Sequence, residues 1–315
     1  MFAPVAMDLT IQTYEESSQK SLGMVPKLAK TPNYTEKMSD EMLYERHFER
    51  MERNRWLLTR DVPWEQLQPE LLPDGLLYDL RYICLTELSA LYATEMFIRD
   101  FYEDIDFSAF VSIWFYEEMK HFLTMKKYIN KCGLHLPDLD TELPKLRLSF
   151  DPGPAVQTMT MHFVGEHRLA LWYNNFADSF QEPVLKKIFR ILATDELRHG
   201  AVYMTYLDKA AGKDENVLRE SLMMSLWMLR SSTDKPKHPT TITRPSVMDM
   251  LEDPDYLVRM IHTYTPKYDE TEMKDTVFAN LSRFAGRSIK SEKDILHVLR
   301  DLKDPDRDMV GSRPL

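Results

Sequence analysis

Glycine, cysteine and long apolar runs are all scarce in this sequence. Nine Gly in 315 residues, beside 43% apolar residues, exclude a low-complexity or disordered chain and point to a helix-rich globular one. The two cysteines, Cys84 and Cys132, make no close metal-ligand pair and are too few for a disulfide scaffold, so a reducing cytoplasm is the expected setting. No segment approaches 18 uninterrupted apolar residues, and the N-terminus has no basic stretch followed by an apolar one. Neither a membrane span nor a signal peptide is therefore expected. Basic residues are outnumbered, 40 Lys and Arg against 50 Asp and Glu, and the net charge of −10 argues against general nucleic-acid binding.

What the chain does have is sustained helical periodicity. Residues 1–38 are polar, contain Pro4, Pro26 and Pro32, and read as an N-terminal surface arm. A helix is expected after Asp40, a good N-cap, through Met42, Tyr44, Phe48 and Trp56. A long helix over 75–103 carries Leu80, Cys84, Glu87, Leu91 and Thr94 on one stripe, and a second covers 105–131 with Gly133 as its C-terminal cap. The proline-bearing stretch 133–153 reads as a crossover along the bundle. A third helix opens at Pro154 and reaches about Phe180; a fourth runs from Pro183 to about Ala211. A fifth, about 215–231, has a stripe of Leu218, Leu222, Leu226 and Leu229 that suits a core or a homodimer face. Residues 231–246 read as a loop, and two or three shorter helices follow. The organisation expected is all-α: an arm (1–38), a four-helix bundle (39–231) and a C-terminal extension packed on it (232–315).

Two stretches carry the chemistry, Glu117-Glu118-Met119-Lys120-His121 and Asp195-Glu196-Leu197-Arg198-His199. In each, Glu-x-x-His puts a carboxylate and an imidazole one turn apart on a helix face. One such motif is weak evidence. Here, however, each lies on an apolar helix, and each has a further glutamate upstream: Glu87 is 31 residues before Glu118, and Glu166 is 30 before Glu196. Such a gap suits half a long helix, a turn and half of its antiparallel neighbour. One Glu from each of two helices and Glu-x-x-His from each of two others is the ligand set of a di-metal carboxylate site in a four-helix bundle. Four buried carboxylates would be costly alone, whereas two divalent cations cancel their charge, and imidazole with carboxylate suits iron or manganese.

Around the expected ligands Glu87, Glu118, His121, Glu166, Glu196 and His199, Asp195 is the candidate partner of His121, and Arg198 is placed to pair with a carboxylate on a facing helix. Leu91, Trp114, Phe163, Ala170 and Tyr173 are candidates for a substrate pocket. Four further acid or imidazole side chains are left outside the six. Asp294 and His297 have ligand spacing but no second set around them. Glu95 stands too close in sequence to Glu118, and His167, about 100° away from Glu166, is expected to be a packed or exposed histidine, with a seventh ligand as the alternative.

These residues resemble the ferritin-like di-iron carboxylate superfamily. Leu85-Thr86-Glu87, Trp114 with Glu117-Glu118-x-x-His121-Phe122, and Asp195-Glu196-x-Arg198-His199 look like the ligand helices of acyl-[acyl-carrier-protein] desaturases. Glu117-Glu118-Met119-Lys120-His121 is equally similar to the ligand-binding oxidases related to the ribonucleotide reductase small subunit. The resemblance covers about residues 75–230. It implies a ferritin-like bundle with the six residues as ligands of two iron ions, or a manganese–iron pair, and Glu118 and Glu196 as bridges. It also implies dioxygen as co-substrate and a desaturase- or monooxygenase-type oxidation of an apolar or aromatic small molecule, free or carrier-bound. Electrons are expected from a separate ferredoxin or reductase, since the chain has no flavin or nicotinamide fingerprint. An N-oxygenase of an amino substrate is the alternative, though Leu192 stands where arylamine N-oxygenases place an additional His. A non-catalytic iron-storage or metal-binding bundle is a further one. The acidic balance offers no dock for an acidic carrier beyond a small cluster at Lys186, Lys187 and Arg190.

Overall fold

The computed structural model describes residues 42–136, 155–212, 214, 216–230, 256–265 and 267–302, and these are all-helical, with no strand among them. The expected N-terminal arm (1–38), the cap at Asp40, the prolines of the crossover, Pro154 and the loop 231–246 lie outside the described residues.

Helix α1 (Leu43–Asn54) begins without a side-chain cap of its own. Asp106, far along the chain, accepts hydrogen bonds from the Leu43 and Tyr44 amides and also binds Lys209 and Tyr206. A carboxylate there satisfies orphan N–H groups at the positive end of the helix. The helix stops at Asn54, so Trp56 belongs to the irregular segment that follows and not, as expected, to the helix.

The expected helix over 75–103 is two: α2 (Leu76–Glu87) and α3 (Ala90–Phe101). At Leu88 and Ser89 the hydrogen bonds tighten to a three-residue step, Ser89 N–H to Thr86 O and Leu91 N–H to Leu88 O, while both residues keep right-handed helical dihedrals. The chain therefore continues in much the same direction but changes phase directly after Glu87. Helix α4 (Ile105–Lys131) has the expected bounds. It ends in a Schellman motif: Leu134 N–H bonds to Ile129 O, Gly133 N–H bonds to Asn130 O, and Gly133 takes φ 87°, a conformation that favours glycine.

Helices α5 (Ala155–Ser179) and α6 (Pro183–Ala211) form an antiparallel pair. They approach closely at Gly200, where a Cβ would lie 2.5 Å from the His167 ring. Helix α7 (Asn216–Leu229) packs on both, and its stripe is core: Leu222, Leu226 and Leu229 are buried. Helices α8 (Tyr256–Tyr264), α9 (Thr271–Ala285) and α10 (Glu292–Asp301) are the expected short C-terminal helices. The wholly buried Arg168 of α5 pairs with Glu270 just before α9 and donates to the Met228 carbonyl, which ties this extension to the long helices.

Side by side, α2–α3, α4, α5 and α6 place their apolar residues in two clusters. One holds Leu80, Cys84, Met125, Phe176 and Leu192; the other holds Phe97, Phe107, Phe163, Tyr203 and Leu207. On every helix the boundary between the two falls at the acidic and imidazole residues, which therefore form a polar layer across the middle of the core.

Glu182, fully buried, secures one end of this arrangement. It caps α6 at the Val184 and Leu185 amides, accepts from Tyr128 of α4 and holds the Gln68 amide. Loss of a cap costs about 1 kcal/mol, and an orphaned buried hydroxyl costs about 1–3 kcal/mol more. Glu182→Ala is expected to destabilise the chain by about 3 kcal/mol in urea denaturation, with Glu182→Gln recovering part of the loss through its remaining acceptor oxygen.

Candidate metal centre

The six residues singled out by spacing meet in the polar layer. Two overlapping groups each bring their ligand atoms within 4.8 Å of one another: Glu87, Glu118, His121 and Glu196, and Glu118, Glu166, Glu196 and His199. Glu118 and Glu196 belong to both, one group containing each imidazole. None of the six is more than 6% exposed.

Both imidazoles are oriented from behind. His121 Nε2 lies 3.1 Å from Asp195, as expected, and His199 Nε2 lies 3.0 Å from Glu117. An ionised carboxylate can only accept, so each Nε2 carries the proton and donates it. Each Nδ1 then faces the cluster. His121 Nδ1 is 3.3 Å from Glu196 and 3.7 Å from Glu87; His199 Nδ1 is 3.0 Å from both Glu118 and Glu196. Arg198 bridges Glu117 and Asp195 and joins the two supports, which extends its expected pairing to two carboxylates. The design is reciprocal: in each acid-Glu-x-x-His stretch the leading acid holds the imidazole of the other helix.

Two partners were not legible from spacing. Trp56, just beyond α1, donates its indole N–H to Asp195 at 2.7 Å, and Tyr173 donates its hydroxyl to Glu87. Glu117 had a readable signal, since it occupies the position that Asp195 holds in the second motif. Trp56 had none, because it is 139 residues from Asp195 in the chain.

The groups set aside are placed apart from the cluster. Glu95 is exposed, Asp294 bonds the Lys290 amide and Ser291 at the start of α10, and His167 donates to Phe163 O against Gly200. The pocket candidates do not share one surface. Trp114 and Phe163 lie in the second apolar cluster, Ala170 and Tyr173 lie in the first, and Leu91 packs against the first.

The electrostatics of the protein without ions show what the layer demands. Burial, with Glu196 nearby, pushes the Glu118 carboxyl up to about 8. Burial also drives Glu166 well above the usual carboxylate range, with Glu196 and Glu118 adding to the effect. For both imidazoles burial acts downward but is outweighed. Glu196 and Asp195 raise His121, and the close carboxylates of Glu117, Glu118 and Glu196 raise His199. Glu196 is held down at about 2; burial opposes this but the two imidazoles prevail. Protons thus supply the positive charge the acids require. The geometry leaves buried donor atoms unused: Glu118 Oε1, Glu196 Oε1 and His121 Nδ1 make no hydrogen bond despite their proximity. Lone pairs converging from four carboxylates and two oriented imidazoles form two overlapping groups that could hold metal ions.

Comparison of the chain with protein-family models, with curated proteins and with solved structures finds no match.

The raised groups dictate a pH dependence. Without metal, the folded chain holds a proton on Glu118 that the unfolded chain releases near pH 4.5, so folding is progressively penalised as pH rises from about 5 to about 8. The imidazoles act in the same direction, since the stability they contribute is complete below their unfolded value and fades at higher pH. Glu196 acts oppositely, its contribution being lost only in acid. Urea midpoints of the metal-free protein are expected to fall from pH 5 to pH 8. Excess divalent metal is expected to abolish the fall, and Glu118→Gln to lessen it by up to about 1.4 kcal/mol per pH unit.

Proposed function

We propose that this chain is an oxygen-dependent oxidoreductase that holds two iron ions, or a manganese–iron pair, in the polar layer. On this reading it oxidises an apolar or aromatic small molecule by desaturase- or monooxygenase-type chemistry. The observation that carries the proposal is the pair of overlapping buried groups that share Glu118 and Glu196 and contain one imidazole each. A di-metal ion pair bound there supplies activation of dioxygen and oxidation of an otherwise unreactive C–H bond.

The chain's own residues would do the rest. Glu118 and Glu196, which belong to both groups, would hold both ions, and Glu87 and Glu166 would each hold one. Tyr173 restrains Glu87, and Asp195 and Glu117 hold the imidazoles with Nδ1 toward the carboxylate cluster. The apolar clusters on both sides exclude bulk water and offer the environment an apolar substrate requires. Electrons would be delivered by a separate donor protein.

Reconstitution with ferrous iron, followed by metal analysis, tests the reading. Two ions per chain and oxygen consumption under reducing conditions are expected. Glu196→Ala and His121→Ala should each lose bound metal, and full occupancy in both would refute the assignment. Asp195→Asn or Glu117→Gln should retain the fold but lower metal affinity by about 10–100-fold, because the orienting acceptor is lost.

A further inference from the structure

Helix α4 turns one face into the polar layer, and among the described residues no helix covers the opposite edge. Along that edge runs a groove of about 750 Å³, bounded on its other side by the segment after α1, including Trp56, Leu57 and Leu58. Its apolar wall on α4 includes Tyr116, Met119 and Leu123, of which Tyr116 and Leu123 are about half exposed. Its polar lining is of one sign. Lys120, Lys126, Lys127 and Lys131 all border it, and among the described residues no Asp or Glu does. The chain as a whole carries a net charge of −10, so a strip of this kind is a local reversal.

These lysines are also unspent. Among the described residues, Lys209 and Lys274 and Arg53, Arg168, Arg190 and Arg198 each have a carboxylate within ion-pair distance. The four groove lysines have none there. Their ammonium groups lie instead against aromatic rings: Lys120 4.0 Å from the centre of the Trp56 ring, Lys127 4.5 Å from Trp64, and Lys126 5.8 Å from Phe122. Ring faces hold a cation in place without neutralising it. Lys120 is mostly buried, with Trp56 O as its hydrogen-bond acceptor, and burial lowers its pKa.

From Tyr116 to Lys131 the strip follows one helix edge for about 22 Å. That is the length of an amphipathic helix of about 15 residues, and apolar positions flanked by cations form the complement of a helix with an apolar face and acidic shoulders. We infer that this groove is a docking site for an acidic amphipathic helix of a partner protein. Leu57, Met119 and Leu123 take the partner's apolar side chains, and Lys126, Lys127 and Lys131 take its carboxylates. The partner would pack against Trp56, whose indole N–H is bonded to Asp195, the residue that orients His121. Occupancy of the groove therefore touches the support of the polar layer. The inference rests on charge and shape alone and stands apart from the metal reading.

Isothermal titration of the full chain with an acidic amphipathic helical peptide of about 15 residues tests it. The Lys126→Glu/Lys127→Glu/Lys131→Glu variant and laurate serve as controls. These lysines take no part in the polar layer, so the variant should keep the parent's helical circular-dichroism signal and urea midpoint, which certifies its fold. One peptide per chain is expected, weakened at least about tenfold in the variant and steeply weakened by salt. Absence of peptide binding, or equal binding by parent and variant, would overturn the inference. So would laurate saturating the groove where the peptide does not, since that makes it a small-amphiphile site.

Discussion

Four carboxylates buried at one level of a helical core are the constraint on which this structure turns. An ionised carboxylate removed from water is stabilised only by a positive charge or by hydrogen-bond donors. Here the four face one another, so each raises the cost of its neighbours' ionisation. Burial and mutual repulsion keep Glu118 and Glu166 protonated well beyond the usual carboxylate range, while the imidazoles keep Glu196 ionised. The layer is thus balanced by protons, and the same buried ligand atoms could hold metal ions in their place.

The surroundings are arranged to hold that layer in position. Apolar clusters lie to either side of it along the same helices, so none of the acids can relax toward water without dismantling packed aromatic and aliphatic side chains. The supporting acids Glu117 and Asp195 are themselves tied together by Arg198. Two orienting hydrogen bonds thereby become one network that spans α4 and α6. Networks of this kind, fully satisfied at low dielectric, fix side-chain direction more firmly than isolated bonds do. The phase change at Leu88 and Ser89 belongs to the same economy, because it lets α2 present Glu87 while α3 turns Phe97 into the second cluster.

Much of this was legible because helices make local spacing into geometry. The bounds of α4 and α6 follow from apolar periodicity, with Gly133 ending one and Pro183 opening the other. The doubled Glu-x-x-His with glutamates about thirty residues upstream was enough to nominate all six residues that meet. The readings that failed concern effects with no local pattern. Trp56 was assigned to α1 on its apolar character, whereas the helix ends first and the indole serves Asp195. The break after Glu87 involves neither proline nor glycine, so nothing in composition announces it. Lys186, Lys187 and Arg190 drew attention by adjacency, but Arg190 is committed to Asn174 and Asp178. Lys120, Lys126, Lys127 and Lys131 lie along α4, spaced so that only a folded helix gathers them beside the segment after α1.

By itself the sequence determined which residues could share a helix face, and hence that two carboxylate–imidazole pairs with two further glutamates were available to one site. Those relations depend only on the 3.6-residue repeat, which every helix imposes whatever its neighbours. Tertiary structure decided what the repeat cannot express. It selected which nitrogen of each imidazole faces inward, which glutamates belong to both groups, and which acid supports which histidine. It also gathered four lysines on one edge of α4 with no carboxylate at ion-pair distance among the described residues. These are consequences of how separate helices are brought together, and contacts between residues far apart in sequence carry no periodic signature.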